Sequence, residues 1–75
     1  MSKVPRVTGK EMIHFLVRQG FAIRRIVGSH HVLRRGDLQT VVPVHGNHNL
    51  KIGTLRGILR DIDMSPEDFE RLWNE

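Results

Sequence analysis

Apolar side chains recur along this chain in two rhythms, and the switch between them marks out its elements. Met12, Ile13, Leu16 and Phe15 return at helical spacing and stop at Gly20, which predicts a first helix over roughly residues 9–19. Thr8-Gly9-Lys10-Glu11 reads as its capping box, and Val7 and Met12 are spaced for a hydrophobic staple. The β-forming run from Phe21 to Val27, interrupted by Arg24 and Arg25, predicts strand 1. Gly28-Ser29 is a hairpin-type turn, His30 to Arg35 strand 2, Gly36-Asp37 a second turn, and Gln39 to Val44 strand 3. Pro43 has no N–H to give, so the end of strand 3 is expected at an edge or a bulge.

The helical rhythm then returns. His45 to Lys51 is read as a polar loop, with Asn47 and Asn49 in turn positions, and Gly53-Thr54 as the opening of helix 2. Leu55, Ile58, Leu59 and Ile62 lie at i, i+3, i+4 and i+7 on that helix. Ser65-Pro66-Glu67-Asp68 starts a third helix, with Ser as cap, Pro at the first position and acids in the first turn. Met64 and Phe69 form its staple, and Phe69, Leu72 and Trp73 its apolar stripe. Residues 1–7 are expected to form a short frayed arm containing Pro5. The order α-β-β-β-α-α describes an α+β domain with a three-stranded antiparallel meander. Helices bury one face of its sheet and leave the other open. This arrangement resembles a small double-stranded-RNA-binding fold with a short extra C-terminal helix.

Composition narrows the classes. A chain of 75 residues makes a single domain, 1–75, with a thin core. It has no cysteine, which excludes a disulfide framework and a thiolate metal site. No apolar run is long enough for a membrane span and no apolar signal core opens the chain, so a soluble cytoplasmic protein is expected.

Charge changes the picture more. The net charge of +4 hides an asymmetry: residues 1–60 hold eleven of the twelve Lys and Arg and two of the eight acids, a local +9, and residues 61–75 carry −5. A basic body of this kind favours phosphate backbones and predicts salt-sensitive binding. The bland reading is that the charges only solubilise a small domain.

Four of the five histidines fall in two places, Gly28-Ser29-His30-His31 and His45-Gly46-Asn47-His48. Imidazole is the side chain best suited to take and give protons near neutral pH. Neighbours on a strand point to opposite faces, so only one of His30 and His31 can lie on the open face. Leu33 packed toward the helices places His31 inward and His30, Val32 and Arg34 outward; Val32 inward reverses this. A base here can take the proton of a ribose 2′-OH, while arginines or a helix N-terminus stabilise the charge on the attacked phosphate. On the residues alone, a paired His beside Gly-Ser is more often structural than catalytic.

His45 follows strand 3 directly and can approach His30 as a phosphate contact or a second proton carrier. An all-histidine zinc site from His30, His31, His45 and His48 is the weaker reading, since structural zinc usually recruits cysteine; His48 is read as a solvated loop residue. Lys51, Arg56 and Arg60 precede and line helix 2, where the N–H groups around Gly53 and Thr54 can hold a phosphate oxygen; a solvated face explains them equally well. His14 is read as a boundary residue of helix 1. The aromatics fall on core positions, which argues against base stacking of the RRM or OB type.

Taken together, these segments resemble a known family, the HicA toxins of bacterial toxin–antitoxin modules. The resemblance runs from Lys10 to Phe69. It is carried by Gln19-Gly20-Phe21, Gly28-Ser29-His30-His31, Val42-Pro43-Val44-His45-Gly46, Gly53-Thr54-Leu55-Arg56-Gly57-Ile58-Leu59-Arg60, and Met64-Ser65-Pro66-Glu67-Asp68-Phe69. Each piece alone is weak; their order and spacing within so short a chain are specific. The resemblance implies the double-stranded-RNA-binding-like fold and a metal-independent endonuclease that cleaves single-stranded mRNA, arrests translation and needs no cofactor. It also implies neutralisation by a HicB-type antitoxin that covers the open face and the histidine. The family's catalytic histidine carries over to His30, with His31 as second choice, and Gly28 and Ser29 as the turn that exposes it. Gly28 and Ser29 themselves, with Arg24, Arg25, Arg34, His45, Lys51 and Thr54, are the expected RNA contacts. The loop Gly46-Asn47-His48-Asn49-Leu50 departs from a more lysine-rich stretch, which leaves fewer phosphate contacts expected there. The alternative from another class is a non-catalytic RNA-binding module using the same basic face.

Overall fold

A computed structural model describes residues 4–75. Its elements run α1 (Gly9–Arg18), β1 (Ala22–Val27), β2 (His30–Arg35), β3 (Leu38–Pro43), α2 (Ile52–Asp61) and α3 (Pro66–Trp73). The strands form one antiparallel sheet in the order β1-β2-β3. The fold is α+β, with the α-β-β-β-α order and the extra C-terminal helix expected from the sequence.

Local chemistry accounts for the boundaries. Thr8 accepts from the Glu11 N–H at 3.1 Å while Glu11 accepts from the Thr8 N–H at 2.8 Å, a closed capping box. At the other end of α1, Phe21 N–H bonds to Leu16 C=O and Gly20 N–H to Val17 C=O, the paired bonds of a Schellman stop. The same pair ends α2, Met64 N–H to Leu59 C=O and Asp63 N–H to Arg60 C=O, with Asp63 at φ 58° where a glycine would be usual. Ser65 caps α3 through the Asp68 N–H, with Pro66 in its first turn.

Register decides which residues face the helices. Leu33 is fully buried and pairs with Thr40, and Val42, also buried, pairs with His31. Cross-strand partners share a face, so Leu33, His31, Thr40 and Val42 line the helix side and Val32, Arg34, Gln39 and Val41 the open side. The core joins that face to Met12, Ile13, Phe15 and Leu16 of α1, Leu55, Ile58 and Leu59 of α2, and Phe69 of α3. Phe15 meets Phe69 edge-on, with ring centroids 5.0 Å apart at 89°. The buried Thr40 hydroxyl donates to Asp61 Oδ2 at 3.0 Å and ties β3 to the end of α2.

Four expectations are corrected. Residues 4–7 are not a frayed arm: Val7 is buried, its C=O accepts from the Leu50 N–H at 2.7 Å, and Val4 packs on the core; residues 1–3 lie outside the described residues. The loop after β3 is not wholly solvated, because Leu50 enters the core and Asn49 bridges to Thr8 rather than occupying a turn. β3 lies one residue earlier than expected, ending at Pro43, and α2 opens at Ile52 with Lys51 as N-cap. Pro43 does end an edge strand, and the sheet's irregularity is instead on β1, between Ile23 and Arg25.

Candidate functional site

The Gly28-Ser29 turn places the first histidine. Val27 pairs with His30 across it. Gly28 has φ +59° and no other residue in the chain has positive φ until Gly36, so Ser29 returns to negative φ. Positive then negative φ is the II′ pattern, whose first position suits glycine and whose twist matches a hairpin. The Ser29 C=O accepts from the Val44 N–H at 2.8 Å, which holds the turn against the chain leaving β3. His30 therefore opens β2, exposed, beside Pro43 at the end of β3.

His45 and His48 reach the same place from the following loop. The His48 N–H bonds back to the His45 C=O at 3.1 Å, with Gly46 at φ +57° between them. The loop is anchored beyond by the Asn49–Thr8 bridge and buried Leu50, so it delivers Lys51 and the start of α2 to the same end of the sheet. The result is an open cleft of about 490 Å³ lined by His30, Pro43, His45, His48, Asn49, Leu50, Lys51 and Thr54.

The electrostatics of this cleft are one-sided. None of the residues lining it is acidic, and Lys51 is a cation. The N-cap Lys51 gives no side-chain hydrogen bond to the helix, and the first turn holds no acid. The leading N–H groups of α2 are thus left without a side-chain acceptor at the positive end of the helix dipole, an arrangement suited to an anion.

Of the expected site residues, His30, His45, Lys51 and Thr54 line the cleft, and Gly28 and Ser29 build the turn beside it. His31 does not join them. It pairs with Ile26 and Val42 on the helix side, half-buried, with its Nδ1 enclosed and without a hydrogen-bond partner. Arg24, Arg25 and Arg34 are exposed on the sheet and outside the cleft lining. Arg25 pairs with Val32 on the open side, and Arg34 Nε donates to the Gly36 C=O at 2.7 Å. Among the described residues no group of three His, Cys, Asp or Glu is placed to hold a metal ion. His14 lines a separate shallow groove with Glu11, Arg18 and Trp73.

His48 is the residue that sequence reasoning missed. Its signal was present: a glycine one residue after His45 lets the chain fold back so that i and i+3 share a wall.

The fold and cleft together define a small α+β protein with a histidine-lined, anion-suited cleft at one end of a basic sheet. A family model described as the HicA toxin of bacterial toxin–antitoxin matches residues 9–64. The chain belongs to that family, and is thus the toxin of a toxin–antitoxin pair whose partner is an antitoxin. A comparison with curated proteins returns no match. No helix among the described residues is long and apolar enough to cross a membrane.

Proposed function

We propose that this toxin is an endoribonuclease that acts on single-stranded mRNA in the cytoplasm, with His30 as the catalytic acid–base group. The observation that carries the reading is the cleft itself: three imidazoles, Lys51 and a bare helix start converge there with no carboxylate among them. A phosphodiester seated at the α2 N-terminus is held by Lys51 and by the leading N–H groups near Thr54. His30, as neutral imidazole, takes the proton of the ribose 2′-OH. The 2′ oxygen attacks the adjacent phosphorus, the P–O5′ bond breaks, and a cyclic phosphate forms. The departing 5′ oxygen takes a proton from a second group, for which His45 is the leading choice. The attacking hydroxyl belongs to the RNA and imidazole suffices to activate it, so the route needs no metal. Arg24, Arg25 and Arg34 hold flanking phosphates along the sheet. Neutralisation by a HicB-type antitoxin that covers this end of the sheet, and action of residues 1–75 as one domain, belong to the same reading.

The test is cleavage of a single-stranded RNA by wild type and His30→Ala in excess EDTA, with the fold of each checked by amide NMR. We expect cleavage by wild type, a loss of about 10²–10⁴-fold in the variant, and RNA affinity within a few-fold of wild type. Equal cutting by both removes His30 from the mechanism and turns attention to His31. Binding by both with cutting by neither replaces the nuclease with an RNA-binding module.

A further inference from the structure

The cleft leaves unexplained the opposite edge of the sheet. Every residue of β1 is exposed, and among them Ile23, Ile26 and Val27 are 45 %, 55 % and 58 % accessible. Ile23 and Ile26 pair with Leu33 and His31, so they lie on the helix side of the sheet, where side chains are normally covered. β1 is also a sheet edge, with one row of backbone N–H and C=O groups facing no strand. Across the two-residue turn, Val27 and His30 form the hydrogen-bonded closing pair. In an antiparallel ladder the next pair, Ile26 with His31, is then non-bonded, which turns the Ile26 N–H and C=O to the open edge.

We infer that β1 is the docking edge for the antitoxin, which adds an extended segment bearing acidic side chains as a fourth strand. Charge selects this occupant. Arg24 and Arg25 sit in the middle of the strand, and residues 1–60 carry a net +9. A second copy of this chain pairing β1 to β1 would bring these arginines together, and like charges across a strand pair are destabilising. Cationic side chains on an edge are the usual guard against self-pairing. An acidic strand turns the same guard into attraction, while its apolar residues cover Ile23 and Ile26. A strand laid on β1 also runs to the Gly28-Ser29 turn, so the docked partner ends beside His30. The inference rests on membership of a toxin–antitoxin pair and not on the ribonuclease reading.

The experiment is hydrogen exchange on the purified toxin–antitoxin complex against the free chain. The β1 amides that face the open edge, Ile26 foremost, are expected to slow roughly tenfold or more in the complex, since an added strand supplies the acceptors that β2 does not. Arg24→Glu with Arg25→Glu should weaken antitoxin binding by at least roughly tenfold and remove most of its salt dependence. Ile26→Pro deletes an N–H that β2 does not use, so it should weaken the complex while leaving RNA cleavage intact. Unchanged exchange at 22–27 in the complex overturns the inference. So does protection there that grows with concentration of the chain alone, which assigns the edge to a second copy. Absence of RNA cleavage by wild type would remove the nuclease reading and leave the exchange result standing.

Discussion

The two edges of this sheet are built from strands of equal length and meet opposite fates. β3 carries its core residues, Thr40 and Val42, under α2, is tied to α2 by the Thr40–Asp61 bond, and ends in a proline against the first turn of α1. β1 has no buried residue, and its apolar side chains stay in water with two arginines among them. The cleft lies at the held edge and the bare apolar strand at the free one. The role proposed for His30 needs rigid neighbours, and the backbone around His30, Pro43 and Lys51 has them. A surface that must accept another chain needs unspent hydrogen bonds and uncovered apolar area, and β1 keeps both.

The sharpest way to break the held edge is at Gly9. A Cβ there would run into the Pro43 C=O oxygen, closer than any side-chain carbon can sit against backbone. Gly→Ala in a helix ordinarily stabilises, so the sign here is set by the collision. Gly9→Ala should lower stability by about 3 kcal/mol in urea titration. Gly57→Ala, in α2 with nothing within 4 Å of the added carbon, is the control and should gain about 1 kcal/mol. If Gly9→Ala also stabilises, α1 does not press on β3 and the contrast between the edges collapses.

That contact also shows what a sequence can and cannot reveal. Periodicity, the capping box at Thr8 and the Ser65-Pro66 start are local, and they located α1, β2 and α3 almost to the residue. The α+β order followed from them. The collision at Gly9, the burial of Val7 against the Leu50 segment, and the approach of His48 to His30 join residues distant in sequence, or near in sequence but folded by a turn no apolar period encodes. The α2 stop was hidden for another reason: Asp63 takes a backbone conformation for which glycine is the usual signal. At the site, the strand alternation that put His30 and His31 on opposite faces was legible. Which one faced the helices depended on Leu33, and Leu33 is buried.

A second break in the held edge is smaller. Thr40→Val keeps the shape of a buried side chain and removes the hydroxyl that donates to Asp61. Asp61 is exposed and regains water, so the loss is that of one ordinary hydrogen bond, about 1 kcal/mol. A loss several times larger would mean that the bond sets the packing of α2 on β3 as a whole.

The free edge should respond least. Ile26→Thr retains a β-branched side chain at a strand position and trades exposed apolar surface for a hydroxyl that water can satisfy. Because Ile26 is 55 % accessible and gives little to the core, stability should stay within about 0.5 kcal/mol of wild type. Urea midpoints with an unchanged slope would show this directly. The helix side of a sheet is where such a substitution ordinarily costs most, so the near-zero result separates β1 from β3 by burial alone. A loss of about 2 kcal/mol would instead mean that Ile26 is covered in solution. The two edges would then differ in composition but not in what they leave open.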